Sequence, residues 1–159
     1  MAGKRLANLL NEDKHMHPYP HTYRVSAAGS QSGMVTVSSP SLADIESAAP
    51  PEFDGPGGVW SPETLLCAAV ADCFVLTFRA ISRAARIEWS NLQCRVEGTL
   101  ERADGVTRFT RLTTSATLTV PPETDIAKAR ALLERAEHVC LVSNSLNSQR
   151  VLEAEVVTS

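Results

Sequence analysis

The sequence predicts an α+β domain with elements in the order β-β-α-β-β-α-β, and three observations carry that prediction. Leu65-Leu66-Cys67-Ala68-Ala69-Val70-Ala71-Asp72-Cys73-Phe74-Val75-Leu76-Thr77-Phe78 is apolar on nearly every side, so it reads as one helix buried nearly all round. Leu92, Cys94, Val96, Gly98 and Leu100 alternate with Gln93, Arg95, Glu97, Thr99 and Glu101, the pattern of a half-buried strand. Beyond Asp104-Gly105, a turn pair, Leu112, Thr114, Ala116, Leu118 and Val120 line one face of a returning strand. So apolar a helix leaves a large exposed patch if one small sheet must cover it. A partner chain, in an obligate homodimer, is therefore expected.

In chain order, residues 1–20 read as an N-terminal extension with a short helical piece at Leu6–Leu10, closed by Pro18 and Pro20. Residues 21–159 form the domain. His21–Ala27 and Met34–Ser38 are two short strands around Gly29-Ser30-Gln31-Ser32-Gly33. Residues 39–60, rich in Ser, Ala, Pro and Gly, form a long loop of the kind that often carries function. Ser61 caps the central helix, Pro62 suits its first turn and Glu63 its positive end, and the helix runs to about Arg86. After the hairpin, Pro121-Pro122 ends the strand. Ile126, Ala129, Leu133 and Ala136 then share one stripe of an amphipathic helix. Cys140–Leu146 opens a short helix and Val151–Val157 is the last strand.

Composition narrows the function classes. With 43% apolar and 21% charged residues in 159, the chain is an ordinary globular domain. A net charge of −3 and the lack of a basic run give nucleic-acid binding no support. The apolar run is about 14 residues, short of the ~20 a membrane span needs. Asp72 interrupts it, so a central core helix is expected and no membrane. The first 17 residues lack the apolar core of an export signal, which predicts a reducing compartment, the cytoplasm. Cys67, Cys73, Cys94 and Cys140 form no C-x-x-C pair and no zinc spacing, so no metal or other cofactor is expected. His15, His17 and His21 read as a solvated tail rather than a metal cluster.

Cys73 in its dry wall, with Cys140 available far downstream, is what thiol redox chemistry needs; a buried Cys is equally a small hydrophobe. Cys67 lies about 240° round the helix from Cys73 and reads as packing, as does Cys94 on the apolar face of its strand. Asp72 pairs with Arg79 or Arg83, or faces a polar pocket. Ser143 and Asn144 cap or turn the chain near Cys140.

Ser61-Pro62-Glu63-x-Leu65, Ala71-Asp72-Cys73-Phe74 and Cys140-x-Val142-Ser143 resemble the signature blocks of the OsmC/Ohr family (osmotically induced protein C and organic hydroperoxide resistance proteins), over residues 21 to 157. The resemblance implies antiparallel sheets wrapped around central helices in an intertwined dimer. It also implies an antioxidant peroxidase of the oxidative stress response. Cys73 would attack a small apolar organic hydroperoxide, Cys140 would resolve the sulfenate as a Cys73–Cys140 disulfide, and Glu63 would hold a catalytic Arg. A dithiol, typically a lipoylated protein, would be the reductant. The chain departs from the pattern: residues 26–63 contain no Arg or Lys, and Leu141 stands where Pro is common. An apolar wall disfavours the reactive thiolate, so a cation must offset it. Arg24 is the leading substitute and Arg79 the alternative. If neither serves, the expectation shifts to an OsmC-fold apolar-ligand binding or redox-sensing protein with weak or no turnover.

Overall fold

The computed structural model describes residues 17–159. The predicted helical piece at Leu6–Leu10 and His15 lie outside that range. The chain divides into two compact units, one ending at Ile45 and the other spanning Glu46–Ser159.

The first unit holds an antiparallel hairpin. Strand β1, Ser26–Ala28, pairs with β2, Val35–Ser38, in the register Ser26↔Ser38, Ala27↔Val37 and Ala28↔Thr36. The first strand is thus shorter than the expected His21–Ala27. The ladder reaches only Ser38, and Pro40, which has no N–H to donate, follows soon after.

Residues 39–60, expected as one long loop, hold short regular elements. They contain β3, Ile45–Ser47, and a 3-10 turn, Pro51–Phe53. The segment is tied at its base, where Ser47 bridges Trp60 and the Ala48 N–H donates to the Trp60 carbonyl at 2.9 Å. Gly55 is required in this closure. A Cβ there would fall 1.6 Å from the Ala49 carbonyl oxygen.

Helix α1, Pro62–Ala85, begins in a reciprocal cap. Ser61 Oγ accepts the Thr64 N–H at 3.2 Å, and Thr64 Oγ1 accepts the Ser61 N–H at 2.8 Å. Arg86, left-handed at φ 54°, ends it. The expectation of burial all round is not met within one chain, because residues of a single helix face point to the core. Val70, Phe74, Phe78 and Ser82 are buried at i, i+4, i+8 and i+12, whereas Leu76 is 50% exposed and Asp72, Arg79 and Arg83 face outward. At 24 residues α1 is also long and apolar enough to cross a membrane. Length therefore does not exclude a span, because the capped turns extend the helix beyond its apolar run.

Strands β4, Asn91–Ala103, and β5, Val106–Val120, form a long antiparallel hairpin with a bulge between Thr99 and Leu100. Its turn residues Asp104 and Gly105 both take positive φ, 53° and 78°, as a two-residue hairpin turn requires. The expected face of β5 is buried: Leu112, Thr114, Ala116, Leu118 and Val120. Helix α2, Ile126–Val139, is capped by Asp125, whose carboxylate accepts the Lys128 N–H at 3.0 Å. Helix α3, Leu141–Asn144, follows, and then β6, Gln149–Thr158. Strand β6 pairs with β5 in parallel, so this sheet, β4-β5-β6, is mixed rather than wholly antiparallel. The helical crossover returns the chain to the same end of the sheet, which a tight hairpin cannot do.

The core lies between this sheet and the helices. Phe74 and Phe78 from α1 meet Ala116, Leu118 and Val120 from β5 and Ala129, Leu133 and Ala136 from α2. Each fully buried Phe or Leu contributes about 1.5–3 kcal/mol by leaving water. Buried Ser82 accepts a hydrogen bond from Trp89 Nε1 at 3.0 Å, and the Trp89 ring meets Phe78 edge-on at 5.5 Å.

Candidate functional site

Two features stand on α1, each built by a different neighbour. The first is a pair of thiols. Helix α3 packs against α1 and brings Cys140 to Cys73, whose side chain acts directly on the Cys140 thiol. Cys140 is fully buried and caps α3, with φ −60° and ψ 110°. Ser143 Oγ donates to Cys140 Sγ at 3.3 Å. Burial is the largest influence on Cys140 and pushes its thiol up. The Ser143 hydroxyl and amide pull it down, Cys73 adds to the rise, and the net direction is upward. Cys73 is half-buried, with Thr77 Oγ1 at 3.9 Å from its sulfur.

The turn that carries Cys140 is held by groups the sequence did not single out for this task. Arg150 Nη1 donates to Asn144 Oδ1 at 2.6 Å, and Arg150 Nε pairs with Glu137 at 3.6 Å. Asn144 Nδ2 donates to the His138 carbonyl at 3.1 Å, which agrees with the expected turn role of Asn144. No spacing pattern could have found Arg150, because its partners come from two other elements.

Cys94 packs at the edge of the core, near enough to Cys140 that the two thiols disfavour each other's ionisation. Burial first, and Cys140 second, push its thiol up to about 11. Burial also raises the Cys67 thiol, against a weaker lowering by a hydrogen bond from the Gly98 backbone. Cys67, Cys94 and Cys140 are therefore all held toward the protonated thiol, the unreactive form.

The second feature is a cavity of about 640 Å³ beside the first three turns of α1. Strand β4 approaches the helix closely here because residue 98 is glycine. A Cβ at Gly98 would meet Phe109 Cε1 at 2.7 Å and Cys67 Sγ at 2.9 Å. Cys67, expected to be packing, thus lines the cavity together with Glu63. Glu63 Oε2 is buried and has no hydrogen-bond partner among the described residues. Glu63 and Cys73, ten residues apart on one helix, lie ~15 Å apart along its axis. Within one chain the structure unites Cys73 with Cys140 and leaves Glu63 elsewhere.

Arg24 is exposed in the first unit, and its carbonyl accepts Ser39 Oγ at 3.0 Å. Arg79 is exposed on α1. Asp72 makes no ion pair with Arg79 or Arg83; the described ion pairs are Arg108–Asp104 and Arg150–Glu137. Among the described residues, no three His, Cys, Asp or Glu are arranged to hold a metal ion.

A mixed sheet backed by helices, with one thiol on the long helix and a second on the following helical turn, defines an OsmC-type fold. Residues 55–155 match the family model for OsmC-like proteins, and the chain belongs to that family. It is 30% identical over 112 residues to the uncharacterized protein YmaD of Bacillus subtilis, covering 67% of this chain and 75% of YmaD. Solved structures share the fold. The OsmC-like protein of Mycoplasma pneumoniae superposes with a TM-score of 0.76 at 16% identity, over 87% of this chain and 99% of that one. The organic hydroperoxide resistance protein OhrB of Bacillus subtilis does so with a TM-score of 0.66 at 22% identity, over 85% and 98%.

Proposed function

We propose that the protein is a thiol-dependent peroxidase that reduces organic hydroperoxides. The observation that carries this reading is the meeting of Cys73 and Cys140, distant in sequence, on adjoining helices. The Cys73 thiolate attacks the hydroperoxide, an S–O bond forms as the O–O bond breaks, and the alcohol leaves with a proton. Cys140 then attacks the sulfenic acid, the Cys73–Cys140 bond forms and water leaves. An external dithiol, of the kind a lipoylated protein carries, restores both thiols by exchange and is itself oxidised to a disulfide. No metal or other cofactor enters this cycle, and a disulfide that forms and is reduced at each turnover suits a reducing, cytoplasmic setting.

The account needs positive charge near Cys73, and we assign that to Arg24, with Arg79 as the alternative. It also needs a homodimer. Antiparallel pairing of two α1 helices carries Glu63 of one chain toward Cys73 of the other. Stopped-flow measurement of thiol loss with cumene hydroperoxide tests the activity: rapid loss in the wild type and none in Cys73→Ser is expected.

A second reading is a binding or redox-sensing protein with weak turnover. It is favoured by one observation, the absence of Arg and Lys from residues 26–63, where the family carries its catalytic Arg. Slow oxidation unaffected by Arg24→Ala would support it.

A further inference from the structure

Cys140 occupies a turn that cannot hold itself. It ends α2 and opens α3 at once, and α3 is only the four residues Leu141–Asn144. So short a helix has no stability of its own in water. The Cys140 side chain gives it no capping hydrogen bond, and position 141 is Leu rather than the Pro that would fix φ at the first helical residue.

Two backbone bonds hold the peptide groups of Cys140. Its N–H donates to the Glu137 carbonyl at 3.3 Å, and its carbonyl accepts the Asn144 N–H at 2.9 Å. Arg150, on β6, grips both of those residues. Its Nη1 donates to Asn144 Oδ1 at 2.6 Å and reaches the Glu137 carbonyl at 3.5 Å, the same oxygen that takes the Cys140 N–H. Its Nε pairs with the Glu137 carboxylate at 3.6 Å, and both side chains are largely withdrawn from water, unlike a solvated surface pair. Asn144 Nδ2 closes the ring on the His138 carbonyl at 3.1 Å. Arg150 is itself anchored, because its register partner on β5 is Leu112, a core residue. The sheet thus holds the thiol-bearing turn through one planar guanidinium, whose fork a Lys ammonium cannot imitate.

We propose that Arg150 is the positioning residue of the resolving step: it fixes Cys140 within reach of Cys73, and so decides whether a Cys73 sulfenate closes to a disulfide or is oxidised further. The proposal rests on the peroxidase reading for the sulfenate alone. In closure the Cys140 sulfur attacks the Cys73 sulfur, the S–S bond forms, the S–O bond breaks, and hydroxide leaves with a proton as water. In the competing step the sulfenate attacks a second hydroperoxide. Another S–O bond forms as the O–O bond breaks, the alcohol leaves, and Cys73 ends as sulfinic acid. A misplacement of about 1 Å can slow a positioned reaction about 100-fold, so a loosened turn favours the second course.

The test compares the full-length, reduced wild type with Arg150→Lys, Asn144→Ala and the double variant. In one arm the protein meets one equivalent of Ellman's reagent, an aromatic disulfide. Cys73 displaces one thionitrobenzoate, and Cys140 displaces the second as the Cys73–Cys140 bond forms. Rapid alkylation and peptide mapping follow both steps, and no peroxide takes part. In the other arm cumene hydroperoxide is titrated and Cys73 sulfinic acid is measured. The first displacement is expected to stay within about twofold of wild type in every variant, while closure slows about tenfold or more in each single variant. The double variant should be no slower than the slower single, because both substitutions cut one clamp. Sulfinic acid should appear at about tenfold lower hydroperoxide. Should Arg150→Lys fail to fold, Asn144→Ala, at an exposed residue, carries the test. Wild-type closure in the single variants, equal slowing of both steps, or effects that multiply in the double variant would each overturn the proposal. The expected closure rates with no reaction of wild-type Cys73 toward hydroperoxide would support the clamp and overturn the peroxidase reading. Absence of closure in the wild type would overturn both.

Discussion

At Cys140 burial and hydrogen bonding oppose each other, and Ser143 supplies the counterweight. Hydrogen bonds to charged groups contribute about 1.5–3 kcal/mol. When a reductant attacks Cys73 in the disulfide, Cys140 departs as a thiolate, and a lower leaving-group pKa speeds that step. Ser143→Ala should therefore slow reduction of the disulfide by dithiothreitol several-fold at fixed pH; an unchanged rate would reduce Ser143 to a packing role. Cys94 gives a prediction about stability. Its thiol is raised in the folded chain to about 11 from about 9, so the folded state holds its proton longer. The stability this provides is present below the unfolded value and is lost as pH rises through the window from about 9 to about 11. Cys94→Ala should flatten the fall of melting temperature across that range. Cys73 and Cys140 were legible as a pair only through the family blocks, since nothing in their spacing brings them together. That Cys67 faces away from Cys73 was legible from helical geometry. What it faces was not, because the cavity exists only where β4 folds back on α1.

At the scale of elements, local chemistry made α1, β4, β5 and α2 readable. Caps, alternation and the Asp104-Gly105 turn all agreed with the structure, and even the boundaries fell close. The misreadings lie where pairing between segments decides. The run His21–Ala27 could not show that its pairing would begin only at Ser26, and residues 39–60 carry too little periodicity to announce β3. The parallel entry of β6 follows from the path of α2 and α3 and leaves no mark in the strand's own sequence. Gly98 is the residue on which the packing of β4 against α1 depends. Gly98→Ala places a methyl against the Phe109 ring and Cys67 Sγ. Overpacking of this kind costs about 1–3 kcal/mol, so thermal unfolding should show a clear loss of stability. An unaltered melting temperature would mean that β4 moves away from the helix without penalty.

For the molecule as a whole, the unresolved demand is the outer face of α1. Only 17% of its most apolar 18-residue window is buried in the chain, and Leu76, Val139 and Leu141, near the thiols in sequence, are 50%, 45% and 68% exposed. The homodimer proposed above would answer that demand. Leu76→Glu should shift sedimentation from dimer to monomer or unfold the chain, whereas an unaffected dimer would place the interface elsewhere. The central claim, that Cys73 and Cys140 form one redox unit, has a more direct measurement. Reduced protein is treated with one equivalent of cumene hydroperoxide, quenched by alkylation and mapped by peptide mass spectrometry. The account predicts a Cys73–Cys140 cross-linked peptide in the wild type, and Cys73 sulfinic acid in Cys140→Ser, where no thiol resolves the sulfenate. Wild-type protein with Cys73 over-oxidised and Cys140 still alkylated as a free thiol would contradict it.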